Sequence, residues 1–151
     1  MDRREILKTV GAAGLAALVS DAWAEHEGHD HQGKHDHSSM KNPFGKLMAT
    51  TSECVSKGQL CVDHCLMLLA DGDTGMAGCA RSVHQMLALC GALQQLASLN
   101  SEHIKPLAKV ALAACKNCEE ECRKHEKNHA VCKDCAEACA ACQKECKAVS
   151  A

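Results

Sequence analysis

Cysteine is the residue type that gives this chain most of its chemical potential. Thirteen of its 151 residues are cysteines, and five of them lie between Cys132 and Cys146 at alternating spacings of three and four residues. A thiolate is both a nucleophile and a soft metal ligand, so the pattern could serve disulfide bonding, redox catalysis or metal binding. The alternating spacing places side chains on the inward face of a packed helix. The thiols are therefore predicted to face the interior of a helical bundle.

Four helices are needed to carry these cysteines, and turn and cap residues separate them. The first helix is expected over 45–70, and the second from Asp73 or Thr74 to near Ala97. The third is expected to begin between Ser101 and Pro106. The fourth is expected to follow Asn128 as its N-cap residue and to end at about Ala148. The third helix starts in that window because proline is tolerated only in a first turn. Short connections between helices of similar length predict an all-α, antiparallel up-down-up-down four-helix bundle with a cysteine-lined core.

Every cysteine falls on the predicted inward line of its helix. Random placement would give this result with a probability on the order of 10⁻⁴, even after the best phase is chosen for each helix. Leucine at the same positions would bury more apolar area, so sulfur is favoured for its chemistry. The candidate metal ligands on these lines are Cys54, Cys61, Cys65, Cys79, Cys90, Cys115, Cys118, Cys122, Cys132, Cys135, Cys139, Cys142 and Cys146.

Disulfide bonds are one alternative for these thiols. An odd number leaves at least one thiol over, and neighbours on one helical face point in parallel rather than towards each other. Disulfide bonds between cysteines of different helices are not excluded by the sequence.

Metal binding is favoured, and charge separates the candidate metals. A zinc ion with four thiolates carries a net charge of −2, so about three such sites would place roughly −6 in the core. No lysine or arginine lies on the inward lines to offset it, and iron–sulfur clusters meet the same objection. Cu(I) is soft and monovalent, and each ion can be held between two thiolates while each thiolate is shared by two ions. This arrangement holds about one Cu(I) per cysteine, with a net charge near zero. The predicted ligand is therefore multiple Cu(I) ions in a thiol-lined tube.

One end of the bundle carries further soft or imidazole ligands. In an up-down-up-down bundle, the connections at 71–74 and 126–129 lie at the same end. Met76 and His125 occupy inward positions just beyond the cysteines there. Met76 is predicted to be a ligand where metal enters, whereas His125 is favoured as a residue that suits the dipole of a helix C-terminus. Three other side chains are predicted to be surface, packing or core residues: Met67, His129 and Met86.

The N-terminal part of the chain is predicted to be an export signal and a linker. Arg3 and Arg4 precede a short apolar run and an Ala-x-Ala site, so 1–24 is predicted to be a twin-arginine-type signal peptide that directs export to the periplasm. An ordinary Sec signal is the alternative. Residues 25–42 predict a disordered, histidine-rich linker that either binds Cu(II), Zn²⁺ or Ni²⁺ or is only a solvated tail. The bundle domain is predicted over 43–151.

Composition argues against several classes of partner and enzyme. The formal net charge is −2, which gives no electrostatic case for nucleic acid or an anionic membrane. The apolar run of the signal is too short for a membrane span. Outside the signal only Phe44 is aromatic, so the core forgoes the side chains of largest apolar area. A di-iron oxidase needs paired Glu-x-x-His motifs on facing helices, and the only such match, Glu126 to His129, lies in a predicted loop.

The motifs of the predicted bundle resemble those of the exported bacterial copper storage proteins, the cysteine-rich four-helix-bundle proteins of the Csp family. The matching segments are Cys54-x6-Cys61-x2-His64-Cys65, Met76-x2-Cys79-x10-Cys90, Cys115-x2-Cys118-x3-Cys122 and the run from Cys132 to Cys146. The resemblance implies thiolate-bound Cu(I), metal entering at a His/Met end with His64 and Met76 as ligands, and a homotetramer. Where exported relatives have additional methionines near the mouth, this chain has Leu68 and Asp71.

The function predicted from the sequence is Cu(I) storage or buffering, at about one ion per cysteine and without catalysis. A zinc- or cadmium-sequestering protein of metallothionein type is the alternative. A thiol enzyme is disfavoured, because a pair of exposed thiols with a low pKa would suffice for it and thirteen buried ones would be unexplained.

Overall fold

The computed structural model describes residues 42–151, which form four helices joined by short connections. Helix α1 is Gly45–Ala70, α2 is Ala77–Ser98, α3 is Ile104–Arg123 and α4 is Ala130–Ser150. One turn of 3₁₀-helix, Thr74–Met76, leads into α2. Each helix packs against the next along the chain, and α4 closes the ring against α1. The all-α four-helix bundle predicted from the sequence is confirmed.

The short connections bear on how neighbouring helices are oriented. A chain that turns within a few residues and then packs along the helix it has left runs back in the opposite direction, so we infer antiparallel neighbours. The side-chain amide of Asn42 donates to the carbonyl oxygen of Ala97 at 2.8 Å, which ties the start of α1 to the end of α2. Asn42 is the last residue of the predicted linker. The predicted signal peptide and the linker histidines (His26, His29, His31, His35 and His37) lie outside the described residues.

Residues in the left-handed conformation end both α1 and α2. Gly72 has a φ of 93°, and its amide donates to the carbonyl oxygen of Leu69 at 3.1 Å. The next amide, that of Asp73, donates to the carbonyl oxygen of Leu68 at 2.9 Å. Asn100, with a φ of 50°, occupies the same place after α2. Glycine and asparagine tolerate this conformation better than other residues, so they stop both helices sharply.

The start of α4 differs from the prediction. His129 is the N-cap residue, and its side chain makes no capping hydrogen bond. The amide of Asn128 instead donates to the carbonyl oxygen of His125 at 3.1 Å, so Asn128 belongs to the turn that follows α3. The prediction of Asn128 as N-cap is wrong, because this turn continues for one residue more before the helix begins. Pro106 lies in the first turn of α3, as predicted.

The buried core has an apolar part and a cysteine-lined part. Seven inward residues near the starts of α1 and α3 and the end of α2 form what we call the apolar end: Leu47, Thr51, Leu93, Ala97, Ile104, Ala108 and Ala111. The hydroxyl of Thr51 fits there because it donates to the carbonyl oxygen of Leu47 at 2.8 Å. Cysteines line most of the remaining core.

None of the four helices is both long and apolar enough to cross a membrane.

Candidate metal centre

The thirteen cysteines are all fully buried free thiols. None of them has exposed surface, although they are spread over four helices. The alternating spacing accounts for this, because it keeps each sulfur on the face that its helix turns towards its neighbours. The inward direction predicted for these side chains is confirmed, and no bridge between helices joins them.

Four of the sulfurs form a group that we call the inner cluster. Cys54, Cys90, Cys115 and Cys142 come one from each helix, and their sulfur atoms all lie within 4.8 Å of one another. The Sγ of Cys90 lies 3.4 Å from that of Cys115 and 3.9 Å from that of Cys142. Next to this cluster, the Sγ of Cys146 lies 3.9 Å from that of Cys142. All four helices thus contribute a soft ligand to one small volume.

Four further sulfurs form a second group, the outer cluster. Cys61 and Cys65 of α1 meet Cys79 of α2 and Cys132 of α4, again with all sulfur atoms within 4.8 Å of one another. The Sγ of Cys61 lies 3.9 Å from that of Cys79 and 3.9 Å from that of Cys132. Cys61 and Cys65 are one helical turn apart, so both can face the same space.

Thiols of α3 and α4 connect the two clusters into one continuous sulfur row, the name we use for all thirteen cysteine sulfurs. Cys118, Cys135 and Cys139 form a group midway along it. The connecting distances between Sγ atoms are 3.5 Å for Cys79–Cys122, 4.0 Å for Cys118–Cys122, 3.9 Å for Cys118–Cys135 and 3.6 Å for Cys54–Cys139. Each sulfur therefore has neighbours within reach of a shared metal ion.

The spacing of the sulfur row suits more than one soft metal. A Zn–S bond of about 2.3 Å places the four sulfurs of a tetrahedron about 3.8 Å apart. The observed separations of 3.4 to 4.0 Å bracket that value, and they also allow thiolates to bridge Cu(I) ions. The sulfur–sulfur distances therefore do not distinguish Zn²⁺ from Cu(I).

Charge does distinguish the metals. The only buried polar side chains among the described residues outside the cysteines are Thr51 and Ser82. The Ser82 hydroxyl donates to the carbonyl oxygen of Cys79 at 2.8 Å, so it is already satisfied. No buried lysine or arginine is present in the described bundle to offset an anionic metal–thiolate centre. Any net charge on the loaded sulfur row would therefore be uncompensated and costly.

Contacts between thiols shift their pKa values in opposite directions. The hydrogen bond with Cys115 raises the pKa of Cys90 and also that of Cys139, and burial adds to both effects. Hydrogen bonds from Cys115 and other neighbours lower the pKa of Cys142. A thiolate that accepts hydrogen bonds from nearby thiols is stabilised, but it makes the next ionisation in the same dry space harder. Much of the empty sulfur row is therefore protonated at neutral pH.

Two histidines touch each other at the end of the bundle that carries the outer cluster. The Nε2 of His64 lies 2.9 Å from the Nδ1 of His129, with ring centroids 4.9 Å apart. The ring of His125 follows, with its centroid 6.5 Å from that of His129. All three side chains are partly buried. His129 was predicted to be a surface or packing residue, so its pairing with His64 was missed. The shared end of the 71–74 and 126–129 connections was the signal that could have indicated it.

The methionines fall into three different settings. Met76 is 1% exposed and lies in the turn that leads into α2, beside the start of the helix that carries Cys79. Met67 is 54% exposed, in line with its prediction as a surface residue. Met86 is fully buried, as predicted for a core residue, but its Sδ lies 3.3 Å from the Sγ of Cys54. That contact was not predicted.

Comparison with known proteins agrees with the arrangement of sulfurs. The model of one family, described as Csp, copper storage protein, matches residues 40–151. No curated protein matches the chain. The matched segment contains all four helices and every cysteine, so the resemblance drawn from the cysteine motifs is confirmed. The chain belongs to the Csp family of copper storage proteins.

Proposed function

We propose that the protein stores Cu(I) along the sulfur row at about one ion per cysteine, each ion held between thiolates that neighbouring ions share. The observation that carries this proposal is a continuous row of thirteen buried sulfurs with no buried cation beside it in the described bundle. Membership of the family implies copper storage. The oxidation state and the stoichiometry are our inference from burial and charge.

The charge argument depends on matching each thiolate with one positive charge. A monovalent ion per thiolate leaves the loaded core neutral, whereas tetrahedral zinc leaves two excess negative charges at every site. The bundle offers no buried lysine or arginine to absorb that excess among the residues described. Sharing each sulfur between two ions also suits a row in which thiols have close neighbours on both sides.

Loading must displace protons, because metal binds the thiolate rather than the thiol. Thiols whose pKa is raised, such as Cys90 and Cys139, are protonated at neutral pH and release a proton when an ion binds. Lower pH strengthens the competition from protons, so the affinity for Cu(I) falls as pH falls. This dependence follows from the raised pKa values and would disappear if the thiols were already ionised.

Anaerobic titration of the reduced apoprotein with Cu(I) tests the proposal directly. It is expected to saturate at about one ion per cysteine and to release fewer protons than ions bound, because the pKa of some thiols, such as Cys142, is lowered. Cys146→Ala removes the sulfur beside the inner cluster and is expected to lower the capacity by about one ion. Ser82→Ala is the matched control, since it changes a buried polar side chain without removing sulfur. Saturation at two or three Cu(I) ions would contradict the proposal.

The alternative function, zinc or cadmium sequestration, is favoured by one observation. The inner and outer clusters each hold four thiols within 4.8 Å, as a tetrahedral site requires. Two such sites would leave the remaining cysteines without a metal: Cys118, Cys122, Cys135, Cys139 and Cys146. We expect the apoprotein to take up only a few Zn²⁺ ions and Cu(I) to displace them all. Zinc that survives an equivalent of Cu(I) per cysteine would establish the alternative.

We further propose that metal enters at the end of the bundle that carries His64, His129 and Met76. The two imidazoles are partly exposed and contact each other, and His64 directly precedes Cys65 of the outer cluster in α1. The core at the opposite end of the bundle holds apolar side chains and the Thr51 hydroxyl, and it offers no thiolate or imidazole to a cation. Imidazole and thioether are neutral donors that hold Cu(I) more weakly than paired thiolates, which suits exchange.

Removing the donors at this end is expected to slow loading without changing capacity. The double variant His64→Ala, His129→Ala should take up Cu(I) from a chelator several-fold more slowly than the unaltered protein, because it lacks the exchangeable imidazole donors at the entry end. Its capacity should be unchanged, because the sulfur row itself is intact. His84→Ala is the control, since that histidine is exposed on α2. Stopped-flow absorbance of the chelator gives both the rate and the final amount transferred. Equal uptake rates for the double variant and the control would contradict metal entry at this end of the bundle.

Location and assembly complete the proposed function. We propose that 1–24 directs export to the periplasm by the twin-arginine route and that the mature chain acts there as a copper store without catalysis. A homotetramer is proposed from the resemblance to exported relatives. Copper ions are the partners proposed for the bundle, and neither nucleic acid nor a membrane is expected among them, given the net charge of −2.

A further inference from the structure

The cysteines are unevenly distributed around the tube. Helices α3 and α4 supply sulfur along the whole length between the clusters, with Cys118, Cys135 and Cys139 at the middle. On α1 no cysteine lies between Cys54 and Cys61, and on α2 none lies between Cys79 and Cys90. The inward residues of α1 and α2 in these two intervals are Gly58, Val83 and Met86, all of them buried. One side of the tube therefore lacks thiols where the other side has three.

Met86 places a sulfur atom on that side. Its Sδ lies 3.3 Å from the Sγ of Cys54, close enough for the thiol to donate a hydrogen bond to the thioether. Cys54 is itself a member of the inner cluster and lies 3.6 Å from Cys139 of the middle group. The thioether thus contacts the sulfur row at the junction between the inner cluster and the middle of the tube, and Met86 has no exposed surface.

Gly58 makes room for this side chain. A Cβ atom at Gly58 would come within 2.5 Å of the Cε of Met86 and within 2.9 Å of the Cδ2 of Leu87. Glycine in the middle of a helix is unfavourable compared with alanine, so its presence in α1 is explained by the space that the methionine methyl group occupies. The thioether is seated between two helices rather than loosely filling a gap.

We propose that Met86 is the fourteenth sulfur ligand of the tube and binds Cu(I) together with Cys54, an inference that rests on the proposed storage of Cu(I) in the sulfur row. In the empty protein the proton of Cys54 lies between the two sulfurs. A Cu(I) ion takes the place of that proton, which leaves to solvent, and the ion is then bound by the Cys54 thiolate and the Met86 thioether.

The charge of the ligand set is consistent with this role. A thioether is a soft, neutral donor, so it adds a ligand without adding a charge. Thirteen thiolates and an equal number of monovalent ions are already balanced, and a thioether leaves that balance unchanged without requiring a further ion. Leucine would fill a similar volume at position 86 with no donor atom. Methionine is therefore the residue that supplies sulfur on the thiol-poor side at no electrostatic cost.

Selenium absorption spectroscopy of selenomethionine-labelled protein tests this assignment. In the first protein Met40, Met48, Met67 and Met76 are changed to leucine, so that Met86 is the only methionine of the bundle that carries selenium. The second protein has Met86→Leu in addition and is otherwise identical, which makes it the matched control. Both are loaded with Cu(I) to equilibrium, and copper content is measured on the same samples.

A copper neighbour around selenium is expected in the first protein and is expected to be lost in the second. The main readout comes from a protein that retains Met86, so it does not depend on whether the Met86→Leu control folds well. Full copper loading without a copper neighbour around selenium would overturn the role of Met86 and leave storage in the sulfur row standing. Failure of the unaltered protein, loaded in parallel, to bind more than two or three ions would overturn the storage proposal and this inference together.

Discussion

Saturating the apoprotein with Cu(I) is expected to raise the midpoint of its thermal unfolding by about 10 °C or more. A ligand that binds the folded protein stabilises it by mass action, and one site at 1,000 times its Kd contributes about 4 kcal/mol. In a domain of this size, each kcal/mol raises the midpoint by about 2–8 °C. Cysteines of the unfolded chain also bind copper, which reduces the gain but does not abolish it. Anaerobic melting followed by circular dichroism, with and without copper, gives the shift.

The reason for this large effect is the composition of the core. Cysteine buries little apolar area, and no aromatic side chain is fully buried in the described bundle. On the proposed function, metal bonds are expected to supply stability that side-chain packing does not. Removing the copper with an excess of a Cu(I) chelator should return the midpoint to that of the apoprotein. A midpoint that does not move on loading would mean that copper binds outside the bundle.

Leu93→Ala is expected to lower the free energy of unfolding of the apoprotein by about 2–5 kcal/mol. Leu93 has no exposed surface and lies in the apolar end, where the largest aliphatic side chains of the core are gathered. The loss is large compared with a typical total of about 5–15 kcal/mol for a domain. Urea denaturation of the reduced apoprotein, followed by circular dichroism, measures it.

Leu60→Ala is the matched control for this substitution. The Leu60 side chain is 60% exposed, so its loss is expected to change the free energy of unfolding by no more than about 0.5 kcal/mol. Leu93→Ala removes no sulfur, and its capacity for Cu(I) should equal that of the unaltered protein. A cost below about 1 kcal/mol would show that the cysteine-lined part of the core holds the apoprotein together without the apolar end.

The bundle could be predicted because cysteine marks the inward face of every helix. Cysteines replace the apolar residues that usually carry this periodicity, and the alternating spacing alone gave the phase of α4 from Cys132 to Cys146. The predicted extent of the first helix, 45–70, agrees with Gly45–Ala70 because Gly72 ends the helix in a recognisable way. The burial of the candidate ligands follows from the same periodicity.

Contacts made by the connections could not be predicted in the same way. The turn after α3 determines that Asn128 stays outside α4 and that His129 meets His64, and that turn has no repeat from which to derive its path. The contact of Met86 with Cys54 depends on a rotamer and on the space above Gly58 of another helix. Sequence spacing locates a residue on a face of its helix, but it does not say which atom of the neighbouring helix that residue will touch.

The apolar end described above has a consequence for the order in which a loaded protein would give up its cargo. Leu47, Leu93 and Ile104 fill the core on that side, which contains no thiolate or imidazole that could carry a cation outwards. On the proposed function, ions beside Cys146 would therefore have to retrace the full length of the bundle, behind every ion nearer to His64. The ions that bind first would be released last, so a partly unloaded protein would keep the ions furthest from the entry end.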